Sequence, residues 1–334
     1  MISQIVEIAE ELSRERRRDP EIVARMDVAA QGQFPRFLLI SPIDRSAQDL
    51  QLFGMLTGEA FQGTRMPGMP LLPSNRSPTL FSGPAAYNGG FSSKRGVILS
   101  FEMSEPEQII RESLDNLMQH PDIAGLPVLV FRIDYDLGRA RIFPHGKGRD
   151  YEAEIKIVSR LRRPDVLDSS TLVLICSDSR VRPPVTPKGL PMGIRSLAGF
   201  IPRCTGSDDE TRQLSDFFSS WLSTQTSPKI LIVAHGNFEG ESSSCGAAEA
   251  SLVPEEIKNP ILHTIILEIQ EAVFSFEGRL AETPDERAKS ILYAVRTNLM
   301  TYSAIKEFAA KKSSDFIETL LMDTVTNVLF PADT

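Results

Sequence analysis

Residues 172–184 read LVLICSDSRVRPP. Four apolar residues run straight into Cys176, and Asp178 and Arg180 follow at alternate positions. An unbroken apolar run of this length reads as a strand buried on both faces. A second such run, ILIVAH over residues 230–235, ends on His235. Helical patterns separate these runs, which predicts an α/β chain whose mostly parallel sheets are covered by helices on both faces. In such sheets ligands gather at the carboxyl ends of the strands. A thiol and an imidazole are thus expected at one sheet edge.

Working outward, the chain matches itself. Residues 34–47, FPRFLLISPIDRSA, resemble 169–182, SSTLVLICSDSRVR, so that Ser41 falls on Cys176 and Arg45 on Arg180. GVILSFEMSE resembles KILIVAHGNFEG. Asn116-Leu117-Met118 matches Asn298-Leu299-Met300, and Asp136 to Pro144 fits Asp323 to Pro331 without a gap. Four matches in one order predict a tandem duplication. The join is expected in HGKGRD, residues 145–150, with halves 1–147 and 148–334 that each run through alternating helices and strands.

The 334 residues carry a net charge of −8, with 41% apolar and 24% charged residues, as in a globular chain. RERRR and RLRR sit in mixed-charge helical contexts and read as solvated helix ends, so no nucleic-acid partner is expected. No apolar run approaches the roughly 18 residues of a membrane span. The N-terminus lacks a secretory pattern and reads as an amphipathic helix with Ile2, Ile5, Val6, Ile8 and Leu12 on one face. A cytoplasmic chain is expected, free or housed in a microcompartment.

The three cysteines, Cys176, Cys204 and Cys245, are an odd count that argues against a disulfide framework. Zinc favours thiolate and imidazole, and a catalytic site takes three protein ligands and leaves one position open. Cys176, His235 and Cys245 supply that set. Cys245 precedes Gly246-Ala247-Ala248, where a helix is expected to begin, and a helix N-terminus favours the thiolate. Cys204 is assigned a structural place. His120, His145 and His263 have no neighbouring cysteine and are set aside.

CSDSR, then GIRSLAG, then a strand ending in histidine, then Cys-Gly, resembles the β-class carbonic anhydrases. The match is good over the second half and degenerate over the first. It implies a Zn²⁺ site on Cys176, His235 and Cys245 and reversible hydration of carbon dioxide to bicarbonate. Asp178 and Arg180 would pair, the acid accepting a hydrogen bond from the nucleophile and the base keeping the acid off the metal. One departure is the spacing between His235 and Cys245, where nine residues intervene, far more than is usual in the family. The carboxysome-shell branch also stretches this spacing and pairs an active half with a decayed one, there in the opposite order.

In the first half Ser41 stands for the first cysteine, Ile43 for the aspartate, and Phe101 or Ser100 for the histidine. Yet GQFPRFLLIS and TGEAF place Gln33 and Phe61 where plant-type members carry residues that reach a neighbouring active site. Tyr87 is a third candidate. The expected architecture is two carbonic-anhydrase-like halves, each a mostly parallel sheet flanked by helices, packed as a pseudo-dimer with the metal in the second half. The expected partner is a small-molecule substrate, carbon dioxide or bicarbonate, and homo-oligomers of such chains are compatible with it. Two other readings stand beside this one: a hydrolase of carbonyl sulfide or carbon disulfide on the same scaffold, and a non-catalytic scaffold protein with structural zinc.

Overall fold

The apolar runs become the central strands of two five-stranded sheets. The computed structural model from which this follows describes residues 2–91, 96–123, 125–146, 148–238, 244–274, 278–312 and 316–332. The first sheet holds β1 (Phe37–Pro42), β2 (Ala60–Arg65), β3 (Gly96–Glu102), β4 (Val128–Asp134) and β5 (Arg139–Ile142), in the order β2-β1-β3-β4-β5. The second holds β6 (Leu167–Cys176), β7 (Leu190–Ser196), β8 (Lys229–Gly236), β9 (Ile317–Asp323) and β10 (Leu329–Pro331), in the order β7-β6-β8-β9-β10. In each, four strands run parallel and the last returns antiparallel. Strand for strand, the two orders are the same.

The register carries the likeness to single residues. Ile40 lies opposite Leu99 in the first sheet, and Ile175 opposite Val233 in the second. Counting on from these pairs puts Ser41 in the place of Cys176 and Phe101, rather than Ser100, in the place of His235. The hairpins correct the sequence match. Eight residues separate the paired Arg132 and Arg141, but six separate Met322 and Leu329. The ungapped alignment of Asp136–Pro144 with Asp323–Pro331 therefore slips: the turns differ in length, and the shared Phe-Pro pair masks it.

Eleven helices cover the sheets among the described residues: α1 (Ile2–Arg16), α2 (Pro20–Gln31), α3 (Ser46–Leu52), α4 (Pro78–Gly90), α5 (Glu107–Met118), α6 (Tyr151–Val158), α7 (Asp209–Thr224), α8 (Gly246–Ala250), α9 (Pro260–Phe274), α10 (Pro284–Leu299) and α11 (Ser303–Lys311). Their starts follow local chemistry. Asp19 caps α2 by accepting from Glu21 N at 2.9 Å, with Pro20 preset in the first turn. Thr283 and Glu286 close a reciprocal capping box at α10. The matched asparagines perform one task twice: at the end of α5, Asn116 Nδ2 donates to Leu71 O (2.8 Å), and at the end of α10, Asn298 Nδ2 donates to Ile201 O (2.9 Å). Among the described residues, no helix is long and apolar enough to cross a membrane.

One apolar core includes a face of each sheet, from Leu38, Val97 and Val130 to Leu174, Ile194 and Ile232. The two remaining faces are covered crosswise. Ile5 and Ala9 of α1 pack on Val173, Ile175, Val233 and Met322 of the second sheet. Ile157 of α6 packs on Leu39, Ile98 and Phe131 of the first. A cut between residues 147 and 148 would thus part each of these helices from the sheet it covers. The sheets meet along β2 and β7: Gln62 N donates to Ser177 O (3.0 Å), Arg195 N to Thr64 Oγ1 (3.2 Å) and Gly193 N to Ile43 O (2.8 Å). Gly193 permits this approach, since a Cβ there would stand 2.8 Å from Ser46 Oγ.

Candidate metal centre

β6 ends on Cys176 and β8 carries His235 near its end, so neighbouring parallel strands bring both side chains to one edge. Cys245 sits immediately before α8, as the sequence predicts. The ligand atoms of Cys176, His235 and Cys245 all lie within 4.8 Å of one another, and all three residues are buried. The two sulfurs are 4.0 Å apart. Two thiolates on a tetrahedral zinc, each at about 2.3 Å, stand about 3.8 Å apart. The three residues thus form a group that could hold a metal ion, and their donors suit zinc.

The imidazole supplies a second test of fit. His235 Nδ1 is bonded to Thr324 Oγ1 at 2.9 Å, which fixes the ring, while the buried Nε2 has no hydrogen-bond partner. A buried ring nitrogen without a hydrogen-bond partner, within reach of two thiols, is a donor that suits a metal. Hydrogen bonding from the Cys176 thiol, opposed by burial and helped by His235, holds Cys245 well below the usual thiol range. Burial pushes Cys176 up.

Asp178 and Arg180 are both 1% exposed and pair tightly. Arg180 Nη2 donates to Asp178 Oδ2 (2.6 Å), Arg180 Nε to Oδ1 (3.0 Å), and the Arg180 backbone N–H also to Oδ1 (2.9 Å). Burial alone would raise the Asp178 carboxyl, but the Arg180 charge and its bonds outweigh it and hold the group below the usual carboxylate range. Asp178 Oδ2 stands 3.8 Å from His235 Nε2, so the carboxylate borders the candidate metal position. Arg180 Nη2 also reaches Ser244 O at 3.0 Å, tying the clamp to the residue before Cys245. Residues 239–243 of the long His–Cys segment lie outside the described residues. The Arg195–Gly199 stretch supports the strand end: Arg195 Nη1 donates to Cys176 O (2.7 Å). Ala198 and Gly199 turn left-handed at φ 55° and 70°.

A cavity of about 860 Å³ opens beside the group. Cys176, Asp178, Leu197 and Ala247 line it from the second half, and Gln33, Phe61 and Phe91 from the first. Gln33 Oε1 is buried without a hydrogen-bond partner, and its Nε2 is 3.4 Å from where a Cβ on Gly246 would sit. Phe61 is 3% exposed, its ring 5.5 Å from that of Phe91. Tyr87 lies deeper, its hydroxyl donating to Arg36 O, its ring 6.3 Å from Phe91. Cys204 is apart from the centre, its sulfur 3.4 Å from Ser215 Oγ.

Several residues at the site escape a reading of the sequence. Thr324 orients His235, and Asn327 Nδ2 donates to Arg180 O (3.1 Å) from the same turn after β9. Both are ordinary turn residues with no pattern to mark them. His120, set aside for want of a cysteine neighbour, lines the cavity with a buried, unpartnered Nε2.

No family model matches the chain, and no curated protein does. Solved structures do. The β-carbonic anhydrase CcaA is similar at 18% identity over 49% of this chain and 79% of its own, with a TM-score of 0.37. A structure from work on two tetrameric β-carbonic anhydrases of Sordaria macrospora is similar at 16% identity over 49% of this chain and 81% of its own, TM-score 0.37. The apo form of a carbon disulfide hydrolase is similar at 16% identity over 49% of this chain and 79% of its own, TM-score 0.28.

Proposed function

We propose that the chain is a zinc-dependent enzyme that hydrates carbon dioxide reversibly to bicarbonate. On this reading it is an internally duplicated pseudo-dimer: residues 148–334 hold the metal, and residues 1–147 have lost it but still wall the site. The observation that carries the reading is the buried Cys176–His235–Cys245 triangle with a clamped Asp178 at its rim. Zinc on these three residues would supply the Lewis acidity that makes water a nucleophile near neutral pH.

The chain's own groups do the rest. Arg180 keeps Asp178 ionised and turned toward itself, so the carboxylate is an acceptor at the cavity rather than a fourth ligand. A hydrogen bond accepted there orients the attacking lone pair toward the substrate carbon. Phe61 and Leu197 make an apolar wall that suits a small linear molecule without charge. Gln33 Nε2 is the amide donor for one substrate oxygen. Thr324 holds the imidazole in the tautomer that leaves Nε2 free for the metal.

Metal analysis with stopped-flow carbon dioxide hydration tests this. One zinc per chain and activity lost on metal removal are expected. Zinc-loaded protein that splits carbonyl sulfide or carbon disulfide but leaves carbon dioxide alone would move the assignment to the hydrolase. Loaded protein inert to all three would make it a scaffold.

A further inference from the structure

A second cavity, of about 320 Å³, lies where α1, α2 and α3 meet the segment before β6 and the loop after it. Five arginines line it, Arg16, Arg25, Arg162, Arg163 and Arg182, against one aspartate, Asp165. The chain as a whole carries a net charge of −8, so this is a local reversal of its sign.

Among the described residues, four of the five, all but Arg25, lack a carboxylate partner. Among the described residues, the side chains of Arg16, Arg162 and Arg163 have no hydrogen-bond or ion-pair partner, and that of Arg182 reaches the Met55 carbonyl. Asp165 is engaged elsewhere, its Oδ2 accepting from Gln51 Nε2 at 2.8 Å. Carboxylates are not lacking nearby: Glu59 pairs with Arg25 at 3.5 Å and with Arg160 at 2.5 Å. Burial, with Arg16 beside it, pushes Arg182 down to about 9, and burial lowers Arg16 too. Arg16 and Arg182 are partly buried and face the cavity without a carboxylate partner, a cost that a bound anion would relieve.

The geometry points to a binding site for a small phosphorylated molecule, its phosphate held by Arg16, Arg162 and Arg182 and its body against Ile22, Met55 and Leu56. Guanidinium groups match phosphate oxygens with paired hydrogen bonds, and several of them suit an anion of more than one charge better than a carboxylate. The volume exceeds that of bare phosphate and falls at the lower end for small-molecule pockets. This site stands apart from the proposed metal centre and does not depend on its chemistry.

Calorimetric titration of the full-length, zinc-loaded protein with inorganic phosphate, phenyl phosphate and phenol is the test. Both phosphates should bind, phenyl phosphate more tightly, phenol not measurably, and added salt should weaken both. Arg16→Gln should weaken phenyl phosphate about tenfold or more, with circular dichroism and zinc content unchanged. Arg162 is exposed, so Arg162→Gln keeps the fold and should weaken binding by a smaller factor. Absence of binding by either phosphate at millimolar concentration would overturn the proposal, as would phenol binding as tightly as phenyl phosphate. Undiminished binding in both variants, as for an anion seated at the metal centre, would also overturn it.

Discussion

Arg180 holds two things that the candidate centre needs in place, the Asp178 carboxylate and the Ser244 carbonyl next to Cys245. Arg180→Ala should leave zinc bound, since no ligand is removed, yet abolish most hydration by freeing Asp178 to occupy the open position. Wild-type rates in that variant would dispose of the clamp. Gln33→Ala should keep zinc and slow hydration roughly tenfold to a hundredfold, the worth of one hydrogen bond of about 1–3 kcal/mol to the reacting group. Metal analysis of single cysteine variants checks the ligand set: Cys176→Ser should lose zinc, and Cys204→Ser should retain it. At this scale the sequence exposed residues whose type is chemically loud. Cys176, Asp178 and Arg180 sit within five positions, and a thiol at a buried strand end invites explanation. Thr324 and Asn327 act by orienting others, a task many polar residues could perform, so nothing in their letters announces it.

The strands were legible because burial on both faces leaves continuous apolar runs, as in LVLIC and ILIVAH, while the β4–β5 and β9–β10 turns were not. Their lengths differ, and turn length is set by local backbone geometry rather than by apolar pattern. The joint between α4 and α7 is another feature without a sequence signal. Glu210 of α7 accepts from Ser77 Oγ (2.9 Å), Thr79 N (3.2 Å) and Leu80 N (2.7 Å) at the start of α4. Burial nevertheless pushes its carboxyl up to about 7. With a folded-state value above the unfolded one, the native chain holds this proton longer than the unfolded chain does. Its contribution is full below about 4.5 and declines as pH rises through about 7, by up to about 3 kcal/mol. Urea melts should show the wild type losing more stability between about pH 5 and about pH 8, the window in which the native carboxyl gives up its proton, than Glu210→Gln does. Parallel pH dependences would mean that Glu210 stays ionised throughout.

The two sheets share an edge contact, a common core and exchanged helices, so the molecule is more than two units in a row. Ile5 of α1 is fully buried against the second sheet. Ile5→Ala should cost about 2–5 kcal/mol, and because the helix belongs to the first half by sequence, the loss should fall on the whole chain in one transition. Two separated melting transitions would show the halves to be independent. Residues 148–334 produced alone would lack the cover on Val173, Ile175 and Met322, the neighbour of β7, and Gln33 and Phe61. They should aggregate and show little hydration activity; a soluble, fully active fragment would sink the pseudo-dimer reading.

The exchange of helices also sets a timetable. On the ribosome α1 is made before any strand of the second sheet, and the sheet it covers is completed only by β9 and β10. The first sheet, complete by β5, waits in turn for α6 to arrive. Neither sheet is fully covered until part of the other half has been made, so the apolar face of α1 stays exposed while the strands of the second sheet are synthesised. Chaperone demand is thereby written into the order of its helices.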